Sequence, residues 1–279
     1  MVTQEQRKRQ LAREKFLRQQ QRRTAARRKA RTRNSVIASV LGVIVIGSVA
    51  LYTTGVMKND DKSNASADVT PSASATSKAP DPCAKAAAGK VKTETWKKEP
   101  AITIDKSAKY TMKLATTCGD IDIALKTSAA PHTVNSFNFL ASKGFFDHTK
   151  CHRLTTSGIY VLQCGDPTGT GSGGPGYTIP DENLKDASLK GGTTYPAGTV
   201  AMANTYDAST GKGRNTGGSQ FFLVYEASPL PANYTPFGTI SASGMTVLKK
   251  IAAAGESTGA GDGAPNATVV INKATVTKS

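Results

Sequence analysis

The pattern of apolar and polar positions divides this chain into stretches of unlike character. Val36 to Met57 (VIASVLGVIVIGSVALYTTGVM) is a 22-residue run without a charge, which as a helix would extend about 33 Å and so cross a bilayer. Arg27, Arg28, Lys29, Arg31 and Arg33 precede it, and Asp60 and Asp61 follow. That asymmetry predicts a single-pass anchor with a cytoplasmic N-terminus and an extracytoplasmic remainder. A cleaved signal peptide would have a shorter apolar core and a shorter basic lead. Residues 58–100 are dominated by Ser, Ala, Thr, Lys, Asp and Pro, which cannot bury enough apolar surface to offset ordering entropy, so this stretch is expected to be a disordered linker. Past residue 100 the period changes. Tyr110 to Ala115 and Ile121 to Leu125 alternate like half-buried strands around the turn Thr117-Cys118-Gly119-Asp120, predicting a hairpin. Pro131, then Val134, Phe137, Leu140 and Ala141, then Gly144 predict a short amphipathic helix. Met245 to Ala253 is a second helix candidate, and short apolar runs at 159–162, 199–203, 221–225 and 268–276 lie between Gly/Pro/Asn loops. Many short strands with two helices predict a mainly β domain: a closed or nearly closed barrel with helical plugs.

The expected organisation is therefore a basic cytoplasmic tail (1–35), a transmembrane anchor helix (36–57), a disordered extracytoplasmic linker (58–100) and a β domain (101–279). The formal charge of +16 over 279 residues looks like a nucleic-acid signal until it is divided. Residues 1–33 hold 13 of the 36 Lys/Arg and 2 of the 20 Asp/Glu, leaving 23 basic against 18 acidic groups in the other 246 residues. The basicity belongs to a tail whose sizeable apolar side chains are Leu11, Phe16 and Leu17. Such a tail suits an anionic membrane surface, and no nucleic-acid partner is expected.

Candidate chemistry is narrowed by exclusion. Three histidines and many serines raise a Ser/His/Asp hydrolase, but there is no Gly-x-Ser-x-Gly elbow, and Gly217-Gly218-Ser219-Gln220 leads into an apolar strand. Gly169 to Gly174 matches GxGxxG formally, yet Pro175-Gly176 stands where the required helix would begin. Cys83, Cys118, Cys151 and Cys164 include no CxxC pair, so neither metal nor cofactor is expected. Outside the membrane an even number suggests disulfides, and four cysteines allow three pairings. Cys151 and Cys164 bracket two neighbouring strand candidates; a bridge there would leave Cys83 to staple the linker to Cys118 in the first hairpin.

What remains is a series of ordered blocks: Cys151-His152-Arg153-Leu154, Tyr160-Val161-Leu162-Gln163-Cys164-Gly165-Asp166, the Gly-rich loop, Asp181-Glu182-Asn183, Val200-Ala201-Met202-Ala203-Asn204, Gly218-Ser219-Gln220-Phe221-Phe222-Leu223 and Thr235-Pro236-Phe237-Gly238. In order and spacing they resemble the cyclophilin family of peptidyl-prolyl cis-trans isomerases, over about residues 108–276, in a membrane-anchored bacterial form. The resemblance implies a closed eight-stranded antiparallel β-barrel capped by two α-helices, a catalytic role for Arg153 and a substrate-binding role for His152 beside it. It places the apolar wall of a proline pocket on Tyr160, Val161 and Phe222, with Leu230 on the rim and Tyr234 where a His is common. Substrate-backbone contacts fall on Gln163, Ala203, Asn204 and Gln220. It implies rotation of X-Pro bonds in secreted or envelope proteins; the alternative is a proline-peptide-binding chaperone or scaffold module without catalysis. The Trp that many members place beside the residue matching Leu230 is absent, which weakens the implied cyclosporin binding.

Overall fold

The computed structural model describes residues 80–279. The expected basic tail, the expected anchor and the first part of the expected linker lie outside the described residues. Among the described residues no helix is long and apolar enough to cross a membrane.

The chain forms β1 (Tyr110–Thr116) and β2 (Gly119–Leu125), then α1 (Pro131–Ser142). Five short strands follow: β3 (Thr149–Lys150), β4 (Arg153–Thr155), β5 (Val161–Cys164), β6 (Thr199–Met202) and β7 (Phe221–Val224). β8 (Pro236–Ile240), α2 (Ala242–Ala253), β9 (Asp262–Gly263) and β10 (Val270–Lys278) complete the domain. The first hairpin obeys its alternation: Met112, Leu114, Ile121 and Ile123 are buried while their neighbours are not fully buried.

α1 opens with Pro at its first turn, and its preceding residue, Ala130, supplies no side-chain cap. The cap comes from far along the chain: the Glu182 carboxylate accepts from the backbone N–H of His132 (3.0 Å) and Thr133 (2.9 Å), satisfying two of the helix's orphan donors. This accounts for an acidic residue in the Asp181-Glu182-Asn183 block. α2 begins three residues before the expected Met245, because Ser241 accepts from Gly244 N–H at 3.1 Å and caps the helix there. The main core is aromatic at its centre, where Phe137 of α1 meets Phe146, Phe221 and Phe237 at ring separations of 5.2, 5.5 and 4.5 Å.

All strands join one antiparallel sheet in the order β3-β10-β1-β2-β8-β6-β7-β5-β4-β9. The expected closed eight-stranded barrel is thus corrected to a curled sheet of ten strands with two open ends. The reason lies in residues 149–155. Thr149 and Lys150 pair with β10, the ladder breaks at Cys151-His152, and Arg153 to Thr155 then pair with β5 and β9. The two edges are joined by two residues of chain and by single bonds from Cys151 N–H to Val269 O (3.0 Å) and His152 N–H to Gln163 O (3.1 Å).

Both expected disulfide pairings are present, Cys83–Cys118 and Cys151–Cys164. The first corrects the linker boundary. Residues 80–100 have no helix or strand, yet they form a strap bound to the domain. Besides the disulfide, Ala84 N–H donates to Thr117 O and Trp96 N–H to Pro175 O, each at 2.8 Å, and Ala87 N–H donates to Asn272 Oδ1 at 3.0 Å. The Trp96 ring packs edge-on to Phe139 (5.1 Å) and against Phe145 (6.0 Å). Gly176, at φ +85°, makes room for it: a Cβ there would lie 2.9 Å from both Thr95 Cβ and Trp96 O. Composition could not reveal the strap, because covalent and backbone bonds hold it, with one large ring.

Candidate active site

Strand register decides which side chains meet. Arg153 faces Gln163, Gln163 faces Phe222, Phe222 faces Ala201, and Val161 faces Val224. Side chains on directly opposed residues share a face, so this row occupies one side of the sheet while Leu154, Leu162, Phe221 and Leu223 fill the main core on the other. The row forms a second, smaller apolar cluster of Val161, Leu189, Tyr195, Ala201, Phe222 and Val224, with Ala203, Leu230 and Tyr234 half-buried against it. Of the two adjacent phenylalanines, Phe222 thus belongs to the slot and Phe221 to the core. Tyr160 is a correction: it packs against the main core, edge to face with Tyr225 at 5.9 Å, and Ile159 joins the slot cluster in its place. Alternation explains this, since Val161 on the slot face turns Tyr160 to the opposite one.

A line of polar contacts crosses the mouth of the slot. Arg153 NH1 donates to Gln163 Oε1 (3.2 Å), Gln163 Nε2 to Gln220 Oε1 (2.9 Å) and Gln220 Nε2 to Gly173 O (2.9 Å). At the outer end, Arg153 Nε and NH2 grip the Asp262 carboxylate at 2.8 and 2.7 Å. This pair holds the Asp262 carboxyl below the usual carboxylate range and raises the guanidinium further. Of the five N–H groups on a guanidinium, three are engaged and two remain, one each on NH1 and NH2, on a side chain 39% exposed.

At the inner end the Gly-rich loop is fixed by Asp166, which is fully buried. Its carboxylate accepts from Thr168 N–H (2.7 Å), Thr168 Oγ1 (2.8 Å), Thr170 N–H (3.0 Å) and Gly171 N–H (2.6 Å). Burial pushes its pKa up, but these bonds outweigh that and hold it at about 2. Gly173 must be glycine, since a Cβ would fall 2.0 Å from Asp166 Oδ1.

His152 is half-buried with its ring beside Gly171; neither ring nitrogen has a hydrogen-bond partner. Burial lowers its pKa and so favours the neutral imidazole. It faces the Gly-rich loop and is not among the slot residues. Asn204 Nδ2 donates to Asn233 O at 2.8 Å, and Ala203 N–H to Gln220 O at 2.9 Å. A groove of about 1070 Å³ is lined by Gln163, Ala203, Asn204, Gln220 and the Gly-rich loop together with Lys97, Lys98 and Glu99 of the strap. Among the described residues no three His, Cys, Asp or Glu gather as metal ligands.

Three contributors escaped the sequence reading. Asp262 lies 109 residues from Arg153, on the two-residue strand β9, and nothing local marks it. Tyr195 is wholly buried beneath the slot: its ring lies 6.1 Å from Phe222, its hydroxyl donates to Tyr234 O at 2.6 Å, and burial pushes its pKa up to about 12. Arg214 stacks over Tyr206 at 3.6 Å and donates to Asn233 Oδ1 at 2.6 Å, bracing the loop that holds Asn204.

The family model described as cyclophilin type peptidyl-prolyl cis-trans isomerase/CLD matches residues 111–276. A probable peptidyl-prolyl cis-trans isomerase B of Mycobacterium leprae is 48% identical over 171 residues, covering 59% of this chain and 56% of the relative. Peptidyl-prolyl cis-trans isomerase B of Bacillus subtilis is 40% identical over 132 residues, covering 47% of this chain and 82% of that protein. A solved cyclophilin type peptidyl-prolyl cis-trans isomerase of Cryptosporidium parvum aligns with 61% of this chain and 99% of its own, at 26% identity and a TM-score of 0.49. The match spans little more than half the length of the mycobacterial relative. With its model matched across the sheet, both helices and the slot, the chain belongs to the cyclophilin type peptidyl-prolyl cis-trans isomerase family.

Proposed function

We propose that the chain is a peptidyl-prolyl cis-trans isomerase acting on proline-containing polypeptides. The observation that carries this is Arg153, clamped on one edge by Asp262 and Gln163, with two N–H groups still unclaimed on the face that bears the apolar slot. Rotation about an X-Pro bond meets a barrier of about 18–20 kcal/mol from amide resonance. In the twisted state the proline nitrogen regains a lone pair, which can accept a hydrogen bond that the planar amide accepts poorly. A guanidinium held in advance beside that nitrogen favours the twisted state over the flat one, which lowers the barrier. Val161, Phe222 and Leu230 surround the pyrrolidine ring and exclude water, while Gln163, Gln220 and Asn204 hold the flanking peptide so that one end can turn.

The same reading places the enzyme outside the membrane on a single-pass anchor, with clients among secreted or envelope proteins. The charge-free run at 36–57 and two disulfides in the folded domain support it. Cyclosporin, weakened by the absence of a Trp beside Leu230, would enter the same slot.

The test is exchange spectroscopy on an Ala-Pro peptide with the full chain and with Arg153→Ala. The unaltered chain is expected to accelerate cis/trans exchange, and the variant to lose on the order of 100- to 1000-fold while binding the peptide within about threefold. Binding without acceleration by the unaltered chain would leave a proline-peptide-binding module and end the enzyme reading.

A further inference from the structure

We infer that the strap converts the peptide groove into a cationic subsite that selects acidic side chains flanking the proline. This rests on the groove being the peptide site of the proposed isomerase. The barrel's share of the groove lining contains Gly, Ser, Thr, Asn, Gln, Ala, Pro and Tyr but no charged side chain. Every charge in the lining comes from the strap, as Lys97, Lys98 and Glu99. Glu99 is engaged elsewhere, with its Oε1 2.7 Å from His132 Nδ1. Both lysines are exposed, and among the described residues neither has a carboxylate partner.

Their position is built in. Trp96, immediately before them, is locked between the Pro175 carbonyl and the rings of Phe139 and Phe145. The strap's start is tied by the Cys83–Cys118 disulfide. Gly176 leaves the space that the Thr95-Trp96 backbone occupies. The two ammonium groups therefore emerge from fixed backbone at the rim of a groove whose other wall binds peptide through neutral groups. An extended peptide with its proline in the slot would lay neighbouring side chains along this wall, where Asp or Glu gains attraction and Lys or Arg meets repulsion. The strap lies before the residues matched by the family model.

The experiment measures binding, so that it stands apart from catalysis. Fluorescein-labelled peptides carrying two glutamates on the N-terminal or the C-terminal side of Ala-Pro are titrated with the full chain by anisotropy, beside their alanine counterparts. At low salt one glutamate peptide should bind roughly fivefold more tightly than its alanine partner. The advantage should fade toward 1 M salt, where the screening length is about 3 Å. It should vanish in K97A/K98A and turn to a preference for lysine-flanked peptides in K97E/K98E, with Trp96 emission reporting that the strap keeps its place. Equal binding of glutamate and alanine peptides at low salt, or a preference that survives removal of both lysines, overturns the inference. Selective binding without any acceleration of exchange sinks the isomerase reading alone.

Discussion

The lining of the groove comes from two parts of the chain that are made in different ways. One is built of strands and the loop pinned by Asp166; its side chains are placed by ladder register, and its members lie within the residues matched by the family model. The other is a strap with no regular backbone structure, held by one disulfide, a few backbone hydrogen bonds and a tryptophan. A sheet-built wall is rigid because every residue's position is shared with its neighbours, so it suits chemistry that needs angstrom accuracy. The strap is joined to the sheet at only a few points, which fits the selective role proposed for it.

That contrast can be broken or sharpened, starting with the rigid wall. Asp166→Ala should destabilise the domain by about 3 kcal/mol, read by thermal unfolding, because buried backbone N–H groups of the Gly-rich loop lose their acceptor. The same carboxylate makes an acid limit. Its folded pKa of about 2 lies below its unfolded value near 3.9, so its contribution is fully present above about pH 4 and is lost as pH falls toward about 2. If the Gly-rich loop kept its amide protection at pH 2, Asp166 would not be its fastener.

The strap comes next. Cys83→Ser with Cys118→Ser should cost about 2 kcal/mol and shift Trp96, the chain's sole tryptophan, to longer emission wavelength, while peptide exchange at the slot continues. A parallel collapse of exchange rate would show that the two walls are not separable. The smallest effect belongs to the outer end of the polar line. Asp262→Asn replaces one acceptor oxygen with an amide donor facing the guanidinium, and should lower the turnover rate about tenfold, near 1.4 kcal/mol, with the Michaelis constant and Trp96 emission little moved. A rise in the Michaelis constant alone would mean that Asp262 serves binding and does not aim Arg153.

Much of the slot was legible because it lies on strands. The resemblance named Val161, Gln163, Phe222 and Arg153; alternation alone could not choose between Phe221 and Phe222, and strand register sets the four on one face. Tyr160 shows the limit: the resemblance put it in the pocket, but one residue of phase turns it to the core. The closed barrel was misjudged for a similar reason, since the break at Cys151-His152 is a local departure that no apolar pattern records. Asp262 sits on the two-residue strand β9 and Tyr195 outside the sheet strands, and neither has a local spacing that announces its partner. The strap was the least legible, because its composition is that of a segment with nothing to bury.

The disulfide at the strap's start has a practical corollary for anyone shortening this protein. A fragment cut at residue 101, where the sequence pattern placed the start of the β domain, would leave Cys118 with an orphan thiol on the first hairpin and strip the cover from Phe139 and Phe145. Under air such material should cross-link into dimers and stick through its bared rings, so that a sample prepared that way would misreport both oligomeric state and solubility. A cut before residue 80 keeps the thiol mated and the rings shaded.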